Sequence, residues 1–298
     1  MIPVIDFKAR DAFGQIRRAY TTVGFAVFTN CLSSNEQSDM SCWFDEMKLF
    51  FDLDLETKMK YPYEADELGP MGFRVNKDST EKFDYNNARM GNHLWPKDLP
   101  NFKASALQSI DIADKLTLRI LGMFDDILGT GNTLVDAHIK SNNSTRVIHY
   151  PSIFDFDIEY LEEKQMRMGE HSDFGTITLL WQVNDVPGLQ VQDLGGAWHS
   201  VPCVQDSVVV NIGDLLQRWT NDYFKSTKHR VINSHLHLNR YSMPHFVAPI
   251  PGTIVSNLIE AKDKYEPIEV KEFLMRRLAQ GFYGVEAHKM WQRSQGFN

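Results

Sequence analysis

The sequence lacks the features that mark several large classes of protein. Only three cysteines, Cys31, Cys42 and Cys203, occur in 298 residues, and their wide spacing suits neither a disulfide framework nor a zinc knuckle. No run of 18 apolar residues is present, which argues against a membrane span. No basic segment followed by an apolar stretch precedes Ile2, which argues against a signal peptide. These absences predict a cytoplasmic protein.

Positive charge is also scarce. The chain has 31 Lys and Arg against 39 Asp and Glu, which gives a net charge of -8 at pH 7. Because binding to phosphate backbones needs a basic face, a small molecule is a better expected partner than nucleic acid. A hydrophobic content of 43% is enough for one large core or two modest ones.

Apolar periodicity predicts helices in the first half of the chain. Residues 10 to 22 are expected to be helical, and a capping box at residues 33 to 36 precedes an apolar stripe that ends at Phe51. A long amphipathic helix is expected to end at Leu128, with Gly129 as its stop. Between these helices, residues 61 to 102 contain Gly-Pro and Trp-Pro breaks and are predicted to be an irregular segment.

The second half favours strands. Short apolar runs such as 177 to 181 and 208 to 212 are separated by turn signals, a pattern typical of a double-sheet jelly roll. A last helix is expected at about 268 to 280. We therefore predict a mainly β protein with a double-stranded β-helix (jelly roll) core, a long bracing helix and a helical N-terminal portion. The predicted division places an N-terminal α/β portion in residues 1–100 and the catalytic jelly roll in residues 101–298.

Three residues in this half can form a metal site. His171 and Asp173 flank Ser172, so an extended segment turns both side chains toward one side. His229 follows after 55 intervening residues, enough for antiparallel strands to bring the chain back. Two imidazoles and a carboxylate can hold one face of an octahedral first-row metal and leave the other positions open.

Arg240 and Ser242 repeat this alternation and place a guanidinium and a hydroxyl on one strand face. Such a pair can hold the far carboxylate of a dicarboxylic acid through charge-assisted hydrogen bonds. A rival metal set contains His235, His237 and His245. Because no carboxylate is near the first two in sequence, we interpret them as structural.

At these residues the chain resembles the iron(II)- and 2-oxoglutarate-dependent dioxygenases, in the branch similar to isopenicillin N synthase. The likeness covers nearly the whole length, and further segments occur in the family's order at 186–191, 198–202, 211–214 and 225–231. The resemblance implies that iron(II) and dioxygen couple the oxidative decarboxylation of 2-oxoglutarate to succinate with oxidation, by default hydroxylation, of a small molecule. Three alternatives are an iron oxidase of the isopenicillin N synthase kind that uses no oxoacid, a binding jelly roll that metal only orders, and a zinc hydrolase.

Tyr150, before Pro151, resembles the family's Tyr-Pro stretch, in which the Tyr hydroxyl helps to hold 2-oxoglutarate. The family's usual Asn two residues earlier is Ile148 here. Since residues 146, 148 and 150 share a strand face, Arg146 should point into the barrel with Tyr150. An inward Arg needs an anion, which is either a carboxylate of an anionic substrate or co-substrate, or a structural ion-pair partner.

Other substrate contacts are implied by the resemblance. In the family the region that matches 61–102 helps to wall off the substrate, so Phe73, Arg74, Phe83 and Arg89 are candidates, with surface loop as the alternative. His245 stands where the resembled sequences usually carry an apolar aromatic, and it is a further candidate. Alternation from Arg240 would turn His245 outward unless Pro244 interrupts the strand.

Overall fold

The computed structural model describes residues 1–66, 69–76, 80–89, 91, 94–152 and 166–278. The helices in these ranges are α1 (Ala12–Thr22), α2 (Ser34–Asp52), α3 (Leu55–Lys58), α4 (Phe102–Leu128), α5 (Thr133–His138), α6 (Asp214–Trp219) and α7 (Val270–Leu278), with a 3-10 helix at Asn87–Arg89. The strands are β1 (Val4–Asp6), β2 (Phe25–Thr29), β3 (Glu64–Asp66), β4 (Gly69–Val75), β5 (Glu81–Tyr85), β6 (Ser144–Tyr150), β7 (Met166–His171), β8 (Ile177–Gln182), β9 (Leu189–Gln192), β10 (Trp198–Ser200), β11 (Val208–Ile212), β12 (His229–Ile232), β13 (Arg240–Val247), β14 (Ile254–Val255) and β15 (Ile268–Glu269).

Two sheets enclose the interior of the protein. A nine-stranded sheet has the order β1-β2-β11-β8-β13-β6-β5-β4-β3, and a four-stranded sheet has the order β10-β9-β12-β7. One apolar cluster joins Val27 and Val209 of the large sheet to Val191 and Val231 of the small sheet. A larger cluster lies on the opposite face of the nine-stranded sheet, against the helices. The fold is therefore the predicted mainly β jelly roll, and the two faces of the large sheet have different neighbours.

The two longest helices form much of the helical layer. At the start of α2, the Ser33 hydroxyl accepts the Glu36 N–H and the Glu36 carboxylate accepts the Ser33 N–H, which confirms the capping box. Helix α4 begins at Phe102 and packs on α2 through Trp43, whose ring centroid lies 4.9 Å from that of Phe102. Gly129 ends α4 in the left-handed conformation (φ 71°), as predicted. None of the helices within the described ranges combines the length and the apolar character that a bilayer crossing requires.

The prediction of an irregular segment over 61–102 is wrong for much of its length. Strands β3, β4 and β5 lie there and extend the nine-stranded sheet beyond β6. Gly72 has a φ of 101°, and a Cβ on it would lie 2.3 Å from the Pro62 carbonyl oxygen, so glycine there permits a close backbone approach within a strand. The division near residue 100 stays a prediction. The predicted last helix is α7, and residues 279 and 280 lie outside the described residues.

A buried histidine makes the fold sensitive to acid. His138, at the end of α5, lies with Nδ1 2.6 Å from the Leu134 carbonyl oxygen and Nε2 2.8 Å from the Thr176 hydroxyl. Since a carbonyl only accepts, Nδ1 donates and Nε2 accepts from Thr176, so the neutral ring satisfies both contacts. Burial lowers the pKa of His138 from an ordinary value of 6.5 to about 4.

The unfolded chain therefore binds a proton at His138 at a higher pH than the folded chain. Stability is fully present above pH 6.5 and is lost as the pH falls toward 4. When the pH is lowered from 7 to 5, the proton uptake of His138 on unfolding should lower the free energy of unfolding by about 2 kcal/mol. Urea unfolding at both pH values should show a pH dependence that is smaller by about this amount in His138→Gln. An equal pH dependence in the two proteins would contradict the assignment.

Candidate metal centre and active site

The three predicted metal ligands lie together at one end of the small sheet. His229 is the first residue of β12 and pairs directly with His171, the last residue of β7. Their ring centroids are 4.2 Å apart, and Nε2 of His229 lies 3.8 Å from Oδ1 of Asp173. One potential ligand atom from each residue lies within 4.8 Å of the others. This donor set, two imidazoles and one carboxylate, fits a first-row metal such as iron(II).

Backbone carbonyls orient both imidazoles. Nδ1 of His171 lies 2.8 Å from the Gly169 oxygen, and Nδ1 of His229 lies 3.2 Å from the Thr227 oxygen. Because a carbonyl only accepts, each Nδ1 carries the proton and each Nε2 has its lone pair available for a metal. Phe25 packs edge-on against His229, with ring centroids 5.3 Å apart, and restricts its rotation.

The carboxylate of Asp173 is held as an anion. Its Oδ2 accepts hydrogen bonds from Thr178 at 2.6 Å and from Asn211 at 2.8 Å. Burial by itself raises the pKa of Asp173, but His229, His171 and the two hydrogen bonds outweigh burial, and the pKa lies below its ordinary value. Burial also lowers the pKa of His229 despite the nearby carboxylate. The site therefore favours a deprotonated carboxylate and a neutral imidazole, the forms that bind metal.

Asp214, the first residue of α6, joins the two segments that carry the ligands. Its Oδ2 accepts from Ser172 at 3.1 Å, and its Oδ1 accepts from Ser226 at 2.6 Å. Its backbone N–H donates to the backbone carbonyl oxygen of Asp173 at 2.8 Å, and Arg277 of α7 pairs with the Asp214 carboxylate. Sequence reasoning placed Asp214 only in a family-like segment and missed this contact. The local signal is an acidic residue at a helix start directly after the buried strand β11.

Asp214→Asn should weaken iron(II) binding about tenfold, because one acceptor and the charge that pairs with Arg277 are lost. Equilibrium dialysis against a competing chelator, followed by metal analysis, measures this change. Asp222→Asn is the matched control, because the Asp222 carboxylate also accepts a hydrogen bond from a hydroxyl (Tyr265) and pairs with a cation (Lys264). Equal iron affinity in Asp214→Asn and in the control would show that Asp214 does not position the ligands.

The predicted oxoacid residues lie on the face of the large sheet that points toward the small sheet. We call this face the cavity face. Arg240 pairs directly with Tyr150 across β13 and β6, and its guanidinium carbon lies 4.7 Å from the Tyr150 ring centroid. Nη1 of Arg240 is 3.4 Å from the Ser242 hydroxyl. A small pocket opens beside Arg240 and Tyr150 and is also lined by Arg167 and His235.

Arg240 is a buried cation, and no carboxylate of the described residues forms an ion pair with it. The residue is only 5% exposed, and its Nε has no hydrogen-bond partner within the described ranges. An unpaired buried charge is costly. The arrangement therefore fits a ligand that brings its own carboxylate, as an oxoacid does.

Arg146 points toward the same face, as alternation from Tyr150 predicts, but its anion is a protein group. Nε of Arg146 donates to Oδ1 of Asp84 at 2.7 Å, and Arg74 lies with Nη2 3.0 Å from Oδ2 of the same carboxylate. Asp84 pairs directly with Arg146 across β5 and β6. The structural ion pair named as an alternative is therefore present.

Phe73 and Phe83 do not lie on the cavity face of the large sheet, so their prediction as substrate contacts is wrong. Both rings face the helical layer, 5.7 Å and 5.1 Å from the ring centroid of Phe50 on α2. They are almost fully buried within the helix-side cluster. Their neighbours in sequence, such as Arg74, take the cavity face because side chains alternate along a strand. The side chain of Arg89 lies outside the described residues.

His245 is likewise buried on the helix side. Its Nδ1 lies 2.8 Å from the Thr145 hydroxyl, and its Nε2 lies 3.1 Å from Oδ1 of Asp114 on α4. Strand β13 continues through Pro244, with the same register to β6 on either side of it. Simple alternation from Arg240 therefore holds, and the prediction of His245 as a substrate contact is wrong.

Comparison with known proteins identifies the family. Residues 141–249 match the family model of the 2OG-Fe(II) oxygenase superfamily, and residues 2–109 match that of the N-terminal region of non-haem dioxygenases in morphine synthesis. The 2-oxoglutarate-dependent dioxygenase htyE of Aspergillus rugulosus is 31% identical over 288 residues, which span 84% of this chain and 85% of the relative. The chain belongs to the 2OG-Fe(II) oxygenase superfamily. The oxygenase is also 30% identical to the proline hydroxylase buaE of Petromyces alliaceus, over 84% of this chain and 85% of that protein.

Solved structures give the same result. A full-length Neurospora crassa protein, crystallised in complex with alpha-KG and thymine, has a TM-score of 0.82 and 26% identity, and the match covers 94% of this chain and 97% of that chain. The oxygenase therefore uses iron(II), 2-oxoglutarate and dioxygen.

Proposed function

We propose that the oxygenase couples the oxidative decarboxylation of 2-oxoglutarate to succinate with hydroxylation of a small molecule. In this proposal His171, Asp173 and His229 hold the iron(II). The observation that carries it is the convergence of these three side chains at one end of the small sheet, which faces the large sheet that carries the buried Arg240; no carboxylate among the described residues pairs with that guanidinium. When bound, iron(II) supplies the redox chemistry that activates dioxygen.

The protein's own residues place the reactants. Arg240 and Ser242 bind the far carboxylate of 2-oxoglutarate, and the Tyr150 hydroxyl helps to fix the same molecule. The charge of Arg240 is strong in this buried site because little water screens it. Thr178 and Asn211 hold the Asp173 carboxylate in its ligating orientation.

We further propose an anionic substrate. The names of relatives support a small molecule, since one is a proline hydroxylase and another was solved with thymine. Anionic character is supported by the second group of cations, Arg74 and Arg146, on the cavity face.

The test is succinate formation from 2-oxoglutarate under air with iron(II), in a screen of small molecules. At least one compound is expected to raise the succinate rate above the rate without substrate, and the product should gain one oxygen atom by mass spectrometry. Product formation without succinate would instead favour the oxidase that uses no oxoacid. A protein that binds iron(II) but makes no succinate and consumes no oxygen with any compound would contradict the proposal.

A further inference from the structure

A cluster of two arginines and one aspartate lies on the cavity face of the large sheet, away from Arg240. We call Arg74, Asp84 and Arg146 the arginine cluster. Asp84 is fully buried and receives both guanidiniums, at 2.7 Å from Arg146 and 3.0 Å from Arg74. The two arginine side chains are about one-fifth exposed (22% for Arg74 and 19% for Arg146). Both cations are therefore fixed by a buried group and still partly accessible to a ligand.

A short series of contacts connects the arginine cluster to the metal ligands. Thr178, which donates to Asp173, pairs directly with Phe246 across β8 and β13. The guanidinium carbon of Arg146 lies 5.5 Å from the Phe246 ring centroid. Residues that pair directly across strands share a sheet face. A small molecule that contacts Arg146 and Phe246 can therefore place a carbon near the metal ligands.

The arginine cluster is separate from the proposed oxoacid site. Arg146 precedes Tyr150, the cross-strand partner of Arg240, by four residues of β6. At about 3.3 Å per residue this is roughly 13 Å along the strand. A short diacid that binds Arg240 and chelates the metal cannot also occupy the arginine cluster.

The charges within the cluster do not balance. Two guanidiniums share one carboxylate, which gives a net charge of +1. The guanidinium of Arg74 stacks 3.9 Å from the Tyr63 ring centroid. A further anion at the accessible part of the two guanidiniums would neutralise the remaining charge. A carboxylate carries the single negative charge that matches, whereas a phosphate dianion would exceed it.

We propose that Arg74 and Arg146, positioned by Asp84, form the anion-binding subsite for the substrate, and that the primary substrate carries a carboxylate. This inference rests on the proposed function, because it concerns the second reactant of the same site. The planar guanidinium fork suits a carboxylate, and the fixed geometry reduces the entropy lost on binding.

The test measures binding to the iron(II) protein saturated with 2-oxoglutarate under argon, by calorimetry. The probes are matched acids and primary amides: isobutyrate and isobutyramide, hexanoate and hexanamide, phenylacetate and phenylacetamide. In at least one pair the acid is expected to bind tenfold or more tightly than its amide. Arg74→Gln and Arg146→Gln should each reduce this preference to less than threefold, and Arg74→Lys should retain part of it.

Arg119→Gln is the matched control, because that guanidinium also stacks on an aromatic ring, of Phe7, but lies in the helical layer. It should keep the full acid preference. Thermal melts check folding, and because Arg74→Gln leaves the hydrogen bond from Arg146 to the buried Asp84 in place, this variant remains informative if Arg146→Gln is unstable. Acids that bind no better than amides in the wild type, or a preference that survives in Arg74→Gln, would overturn the inference. Loss of 2-oxoglutarate binding itself would instead count against the proposed function.

Discussion

His229→Ala is expected to abolish iron(II) binding at stoichiometric concentrations and to reduce 2-oxoglutarate turnover below detection. His229 supplies one of only two imidazoles in the cluster, and the neighbouring Asp173 and His171 alone leave too few protein ligands for tight binding. Iron content after gel filtration and succinate formation measure the two effects.

The control for this substitution is His237→Ala. His237 belongs to the rival metal set that the sequence offered, and in the structure it is exposed on the segment between β12 and β13. Iron content and succinate rate should stay close to those of the wild type in the control. Retention of stoichiometric iron in a folded His229→Ala protein, checked by circular dichroism, would remove His229 from the proposed ligand set.

Arg240→Leu should raise the Michaelis constant for 2-oxoglutarate by about one to two decades. A charged hydrogen-bonded contact is worth roughly 1.5 to 3 kcal/mol, and the leucine leaves the ligand carboxylate without its cation. Succinate formation as a function of 2-oxoglutarate concentration gives this constant. Iron affinity should not change, because Arg240 makes none of the hydrogen bonds that hold the three metal ligands.

Arg240→Lys separates charge from geometry. It keeps the positive charge but loses the planar fork, so its Michaelis constant should fall between those of the wild type and Arg240→Leu. An unchanged constant in Arg240→Leu would show that the carboxylate binds elsewhere.

The direction of a site side chain could be predicted from sequence where it depended only on alternation along one extended segment. His171 with Asp173 and Arg240 with Ser242 are pairs two residues apart, and alternation alone places each pair on one side. The same rule correctly turned Arg146 toward the cavity. The rule could not supply its partner, because Asp84 lies 62 residues away and joins β6 only through sheet pairing.

The errors have a common physical origin. Glycine and proline in residues 61–102 resemble loop signals, yet Gly72 serves a close approach to Pro62 within a strand. Because β4 and β5 belong to the sheet, their side chains alternate between its two faces. Phe73 and Phe83 therefore face the helices, and Arg74 lies on the cavity face. Which face is buried against which layer depends on tertiary packing, and a single sequence does not encode it locally.

We propose that three side chains distant in sequence bind iron(II) beside a guanidinium that anchors an oxoacid. An anaerobic titration of the iron(II) protein with 2-oxoglutarate, monitored through the weak visible charge-transfer band of the chelate, tests this claim. The band should saturate at one equivalent in the wild type, disappear in His229→Ala, and require about ten- to a hundredfold more 2-oxoglutarate in Arg240→Leu. A wild-type protein that binds iron(II) but develops no band, or a band of full intensity in His229→Ala, would contradict the claim.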